Sequence, residues 1–575
     1  MMKRAGIAAA AIAALLALVL PARAQTTPAL ESSLPAVPPV TAVRAAHGMV
    51  VAQEGRAATV GVDILRQGGN AVDAAVATGF ALAVTYPRAG NIGGGGFMVI
   101  HRASGEAAAI DYRETAPAAA HPTMFLDEHG AVDPRKSRDS ALAIGVPGTV
   151  AGLALAHERF GSGRFTLAQL IAPALALARD GIPVDGDLAD SLPRLSARLA
   201  RWPASAAIFL NPDGSALRAG QRLVQRDLAD TLAAIAREGA QGFYEGTVAE
   251  KLAVGVQKAG GLITFDDLKS YRAVLRAPVR GRYRGYEVIS MPPPSSGGVH
   301  LIEMLNILEG FTLTDDAAAR HLMIEAMKRA YADRAVYLGD PDRVTVPVAG
   351  LTSKRYAATL RATIDPDRAT PATPGAFPVP REGDNTTHFS VVDRDGNAVS
   401  NTYTLNFSYG LGLVAAGTGV LLNNELDDFT ASPGAANAYG LIGFEPNLPG
   451  PGKRPLSSMT PTILLKDGKV ALVTGSPGGS RIITAVLQQI VGMIDFGLDV
   501  AASVGAPRLH HQWQPDEVIA EPAVPEVMRR DLARRGHRIV TRPPATAVNA
   551  IAADGQGGFI GAADSRTRGA LAAGY

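Results

Sequence analysis

The chain has 575 residues, 47% of them hydrophobic and 19% charged, an ordinary globular composition with enough length for a large core. Its 55 basic and 53 acidic residues set up no field that would draw nucleic acid from a distance. With no cysteine, disulfides, thiolate nucleophiles and cysteine-ligated metals are all excluded.

The first residues read as a secretion signal. Lys3 and Arg4 form a basic start, Ala8 to Leu20 an apolar run, and Ala22-Arg23-Ala24 a small-x-small cleavage site before Gln25. The apolar run is short for a membrane anchor. Cleavage after residue 24 removes Lys3, Arg4 and Arg23, leaving 52 basic against 53 acidic residues. The mature protein is therefore expected to be periplasmic or secreted, without an anchor. Gln25 to about Val43, rich in Pro, Ser and Thr, reads as a flexible lead-in.

Apolar residues at helical spacing run from Ala58 to Tyr86, broken at Gly68-Gly69, with Asn70 placed to cap the second helix. Four glycines, Gly93 to Gly96, precede a buried-looking strand at Phe97 to Ile100; they read as a tight turn, since no P-loop Lys-Ser/Thr follows. Ala107 to Asp111 reads as a strand ending near Arg113. From Gly148 to about Gly339 the pattern is mainly helical, as in Leu167 to Arg179, Leu228 to Arg237, Val299 to Leu308 and Ala317 to Leu338, and these helices are assigned to packing. Ser295-Ser296-Gly297-Gly298 opens one of them and reads as plain capping. Asp340 to Asp384, rich in Pro, Thr and Asp, reads as a long exposed segment.

At Asp384-Asn385-Thr386-Thr387-His388-Phe389-Ser390 a Pro/Gly-rich charged run gives way to a strand. Asp395-Gly396 then turns the chain back into Ala398 to Thr404, a hairpin. A second hairpin follows at Pro461 to Lys466, Asp467-Gly468 and Lys469 to Thr474. A hydroxyl residue where a cuttable loop meets a rigid strand is a candidate N-terminal nucleophile. Were the bond before Thr386 cut, the hydroxyl and a freed α-amine of reference pKa about 7.7–8.0 would share one residue. On spacing alone a Thr-Thr pair is ordinary β-branched strand filler.

The stretches Gly69 to Ala75, Gly93 to Met98, Tyr112-Arg113-Glu114, Thr386 to Ser390, Thr402-Tyr403-Thr404-Leu405-Asn406 and Gly475 to Ser480 change those odds. From Ala46 to Tyr575 the chain resembles a γ-glutamyltranspeptidase of the N-terminal nucleophile hydrolase superfamily. The resemblance implies an α+β fold, a four-layer αββα sandwich formed jointly by a large subunit (25–385) and a small catalytic subunit (386–575), cut between Asn385 and Thr386. It implies one interleaved unit in place of the three or four domains that length alone suggests.

By the same resemblance, Thr386 is the nucleophile and Thr404 orients its hydroxyl. Gly478 and Gly479 supply the oxyanion site, for which backbone N–H groups must converge without a side chain in the way. Arg113 clamps an α-carboxylate with Ser457 and Ser458, as a fork-shaped guanidinium can. Asp428 and Glu425, assisted by Asn406, take an α-ammonium. Pro433 to Gly443, with Tyr439, resembles a lid over the pocket. One departure from the family pattern is Ser565, where Pro is expected.

The implied activity is transfer of the γ-glutamyl group of glutathione and related amides to water, amino acids or peptides, with no metal or organic cofactor. Two alternatives remain: a related acylase of glutaryl β-lactam side chains, and an exported solute-binding protein that is never processed. His510-His511 has no partner at metal-ligand spacing, and there is no Gly-x-Ser-x-Gly elbow.

Overall fold

The computed structural model describes residues 37–370 and 386–575, which belong to one compact unit. Two seven-stranded sheets, each antiparallel throughout, carry the fold. In the first, Thr386–Val392 lies near the centre, with Met49–Ala52 and then Leu571–Gly574 on one side and Ala398–Thr404 on the other; Gly95–His101, Ala107–Tyr112 and Val274–Arg276 extend it. The second runs from Ala42–Ala45 through Phe559–Ala563, Asn549–Ala553, Lys469–Gly475, Thr462–Lys466 and Tyr286–Ser290 to Val279–Tyr283.

Strand alternation distributes side chains between distinct cores. Met49 and Val51 join Phe97, Val99, Ile289, Ile463, Val473 and Ile551 in a cluster contributed by both sheets. Val50 and Ala52, one step out of phase, join Phe389, Tyr403 and the helix Ala71–Thr85 in another. On the second sheet Ile463 belongs to the shared cluster, whereas Leu464 packs with helices Gly297–Leu308, Ala317–Tyr337 and Ile482–Ile494.

Both hairpins form where the turn chemistry places them. Gly396 has φ of 88°, and the Asp393 carboxylate accepts from the amides of Asp395 and Asn397 and from Ala71 N, tying the turn to a helix start. In the second hairpin Asp467 and Gly468 both have positive φ, 52° and 76°, as a two-residue turn between twisted strands requires. Asn70 caps Ala71–Thr85 in a capping box closed by Asp73.

Two readings need correction. The stretch taken as mainly helical also holds the strands Val274–Arg276 and Val279–Tyr283, which are edges of the first and second sheets, and Tyr286–Ser290, which is paired on both sides in the second. The segment after Asp340 is not structureless, since Val348–Leu351 and Lys354–Arg361 are helical. The expected signal and lead-in up to residue 36, and the stretch 371–385 with Asn385, lie outside the described residues. Among the described residues no helix is long and apolar enough to cross a membrane.

The Thr386 strand is fastened to the second sheet by polar links. Ser390 Oγ donates to Asn549 O at 3.1 Å, so His388 Nε2–H donates to Ser390 at 3.0 Å, and Thr402 Oγ1 donates to His388 Nδ1 at 2.9 Å. Burial depresses the His388 pKa to about 3, leaving a neutral ring with a structural job. A Cβ on Gly475 would sit 2.4 Å from that ring, which both hydrogen bonds hold in place. Gly475→Ala is accordingly expected to destabilise the protein by about 1–3 kcal/mol, the range of an overpacked core. Thermal denaturation against wild type checks this.

Candidate active site

Thr386 heads its strand and is 5% exposed. The ladder to Met49–Ala52 begins only at Phe389, whereas the ladder to Ala398–Thr404 reaches the end and pairs Thr386 directly with Thr404. Directly opposed residues keep their Cβ atoms about 5 Å apart. Thr386, His388, Ser390 and Val392 share a face by strand parity, as do Thr404, Thr402 and Ser400 opposite them. Thr404 Oγ1 accepts from the amide of Asn406 at 2.8 Å, and Asn406 has the rare positive φ of 71°. That conformation turns the chain out of the strand and into the site.

A cavity of about 20 Å³, room for about one water, collects these groups. Its walls include Thr386, Thr404, Asn406, Arg113, Glu425, Asp428, Tyr439, Ser457, Ser458 and Gly479. Every expected site residue among those described is there except Gly478, which adjoins Gly479. The two glycines have φ of 130° and 54°, and a Cβ on Gly479 would lie 2.5 Å from the Tyr439 ring. Gly479→Ala should displace that ring and strain the backbone, lowering kcat/KM by about 10²-fold, the effect of roughly 1 Å of misplacement; steady-state kinetics on a γ-glutamyl anilide checks it.

Arg113 is wholly buried and nearly all its donors are taken. Nε donates to Pro455 O at 3.1 Å, Nη2 to Asp428 at 2.5 Å, and Nη1 to Glu425. Glu114 lies 3.9 Å away. One cation thus faces three carboxyls in a largely buried site. Burial would lower the Arg113 pKa, but Glu425, Asp428 and Glu114 together raise it. Burial pushes the carboxyls of Glu114, Glu425 and Asp428 upward, and Arg113 opposes the shift without cancelling it.

The residues expected as a lid are hydrogen-bonded to the site walls. Tyr439 OH donates to Asn406 Oδ1 at 2.6 Å, Asn437 donates to Asp428 at 3.2 Å, and Ala438 N donates to Asp427 at 3.1 Å.

Sequence reasoning missed two residues from the helical region assigned to packing. Arg334 donates to Ser458 Oγ at 3.2 Å and to Ser296 Oγ at 3.0 Å. Burial lowers its pKa to about 10. Ser296 caps no helix amide; its hydroxyl donates to Ser457 O at 2.7 Å. Ser295 does take the helix's first amide, Gly297 N, at 3.1 Å, as the capping reading expected, while both serines also donate to the 457–459 segment. None of the contacts of Arg334 and Ser296 has a local signal: Arg334 and Ser296 are 38 residues apart, and the Ser457-Ser458 segment lies more than a hundred residues from both.

Among the described residues one His/Glu group is compact enough to consider for a metal: His321, Glu325 and His537, with candidate ligand atoms within 4.8 Å of one another. Its atoms are otherwise engaged. His321 Nε2–H donates to Asp365 O at 2.8 Å, so Nδ1 accepts from His537 at 2.7 Å. Glu325 accepts from Lys328, Arg329 and the Thr370 amide.

Comparison with known proteins gives the family. The family model for gamma-glutamyltranspeptidase matches residues 57–574. The glutathione hydrolase proenzyme of Escherichia coli (strain K12) is 51% identical over 541 residues, 93% of each chain. The crystal structure of cephalosporin acylase from Bacillus halodurans matches with a TM-score of 0.82 at 30% identity, covering 95% of this chain and 98% of that one. That of Helicobacter pylori gamma-glutamyltranspeptidase gives 0.54 at 48% identity, covering 55% of this chain and 91% of the other. These structural neighbours are N-terminal nucleophile hydrolases. The chain belongs to the gamma-glutamyltranspeptidase family.

Proposed function

We propose that the chain is the precursor of a γ-glutamyltransferase and glutathione hydrolase that cuts itself before Thr386. The Thr386 oxygen attacks the carbonyl carbon of Asn385, the peptide C–N bond breaks, and the nitrogen takes the hydroxyl proton as the new α-amine. Water then opens the resulting ester. The pieces, 25–385 and 386–575, stay associated, since strands from both interleave in each sheet. The helix–sheet and sheet–sheet cores support a four-layer αββα sandwich as their shared frame. An exported product, freed of residues 1–24, completes the reading.

In the mature enzyme the α-amine accepts the Thr386 proton as the oxygen attacks the γ-carbonyl. Backbone amides at Gly478-Gly479 stabilise the oxyanion, and Thr404 orients the nucleophile. The donor's α-carboxylate takes Arg113, Ser457 and Ser458, while its α-ammonium takes Asp428 and Glu425, with Asn406 assisting. The observation that carries this reading is one cavity wall shared by Thr386 and the Arg113–Asp428–Glu425 group. A zwitterion is what can separate such a cation from its carboxylates, giving each a new partner.

The test is product release from a γ-glutamyl amide, with and without a dipeptide, alongside a denaturing gel. Two bands and turnover are expected. A persistent single band would favour an unprocessed binding protein. The likeness to a cephalosporin acylase keeps a second reading in play, a glutaryl-side-chain acylase.

A further inference from the structure

Thr386 lines two cavities, and among the described residues no other is common to both. One is the chamber with Arg113. The other, of about 80 Å³ and so with room for a few waters, has Gln53, Thr546, Arg88, Pro544 and Arg566 among its walls. The last three also wall a cleft of about 830 Å³, so the smaller cavity adjoins space from which water can be replaced. Gln53 is the unusual wall. It is 1% exposed, yet among the described residues neither its Oε1 nor its Nε2 has a hydrogen-bond partner. A buried amide with both ends unpaired is costly, and the cavity is where its partner can come from. Arg566 adds a second such group: its Nη atoms go to Glu521 and Asp564, while its Nε is buried and unpartnered among the described residues.

Strand register brings Gln53 to the nucleophile independently. Ser390 pairs with Val51 and Phe389 with Ala52, the end of that ladder. Continuing by one residue sets Gln53 beside His388, on the face that His388 shares with Thr386, and diagonal to Thr386. Diagonal neighbours across antiparallel strands stand about 7–8 Å apart, a gap that a glutamine side chain and one water bridge.

We infer that Gln53 is a positioning residue for the water that attacks the acyl-enzyme, holding it in the 80 Å³ cavity and so setting how much of the acyl group goes to hydrolysis. The inference rests on the acyl-transfer reading above. The water oxygen attacks the acyl carbon and a C–O bond forms. The bond from that carbon to Thr386 Oγ breaks, and one water proton passes by way of the α-amine to Oγ. Gln53 Oε1 accepts the other water hydrogen, which turns an oxygen lone pair towards the carbon. The amide neither gains nor loses a proton; its work is orientation. A donor held in the Arg113 chamber leaves this cavity to the water, because the two share only Thr386 among the described residues.

The test reads how the acyl-enzyme partitions. Processed enzyme receives γ-glutamyl-p-nitroanilide and a fixed concentration of glycylglycine, and glutamate and γ-glutamylglycylglycine are both quantified. The two products leave one intermediate, so a defect in donor binding, acylation or folding cancels from their ratio. Gln53→Met, similar in size but without the amide, should lower glutamate relative to the transfer product about tenfold, the loss of one water-orienting hydrogen bond. Gln53→Glu, which keeps an oxygen at the same reach, should bring the ratio most of the way back. If Gln53→Met does not accumulate, Gln53→Asn, one methylene shorter, takes its place with the same expected direction. An unchanged ratio in that variant, or no recovery in Gln53→Glu, overturns the inference. Failure of wild type to release nitroaniline at all would instead sink the acyl-transfer reading.

Discussion

Thr386→Ala is expected to remain one uncut polypeptide on a denaturing gel and to lose γ-glutamyl hydrolysis by at least about 10⁴-fold, as loss of a covalent nucleophile does. Two separate functions vanish with one oxygen. The uncut chain keeps an amide where the α-amine would stand, and an amide nitrogen cannot accept a proton near neutral pH. Even material cut by an added protease would carry the amine without a hydroxyl. The folded state should survive, because Thr386 is the first residue of its strand and the apolar anchors Phe389, Val391 and Val392 lie further in. Thr386→Ser, which restores oxygen and proton acceptor together, should be cut, though more slowly. Mass spectrometry of the variants decides the outcome. Normal cutting of Thr386→Ala would remove the nucleophile from this position.

Much of this geometry is legible in the sequence because it is local. The Thr386–Thr404 pairing follows from a hairpin whose turn is announced by Asp395-Gly396, and register in a hairpin is set by its turn. The capping box at Asn70 and the glycines at Gly478-Gly479 are equally local. The roles of Arg113, Asp428 and Ser458 came from family resemblance; spacing alone put Arg113 just past a strand end and assigned the other two nothing. Arg334 and Ser296 escaped because only the folded chain sets them beside Ser457 and Ser458. The strands between Val274 and Ser290 escaped for a related reason. They are only three to five residues long and lie next to long helices, so no alternation or apolar run is long enough to stand out.

Asp428→Asn should separate the two remaining substrate readings. The change preserves shape and leaves an amide able to accept from Arg113, but it removes one of the carboxylates facing an incoming α-ammonium. Losing a partner of a desolvated charge costs about 3 kcal/mol, so kcat/KM for a γ-glutamyl amide should fall by about 10²-fold. A glutaryl amide has no ammonium to lose, and its turnover should hold or improve. Arg113→Ala is a poorer probe, since it strands Glu114, Glu425 and Asp428 in a buried site and costs about 3–5 kcal/mol in stability.

The pH dependence gives an independent check. Burial raises the carboxyls of Glu425 and Asp428, so on acidification they take up protons earlier than exposed carboxylates do. The KM for the γ-glutamyl donor should therefore climb as pH falls from neutrality, and that of the glutaryl amide should not follow it. A wild type that prefers the glutaryl amide, with Asp428→Asn slowing both substrates equally, would make this an acylase and take the ammonium away from Asp428.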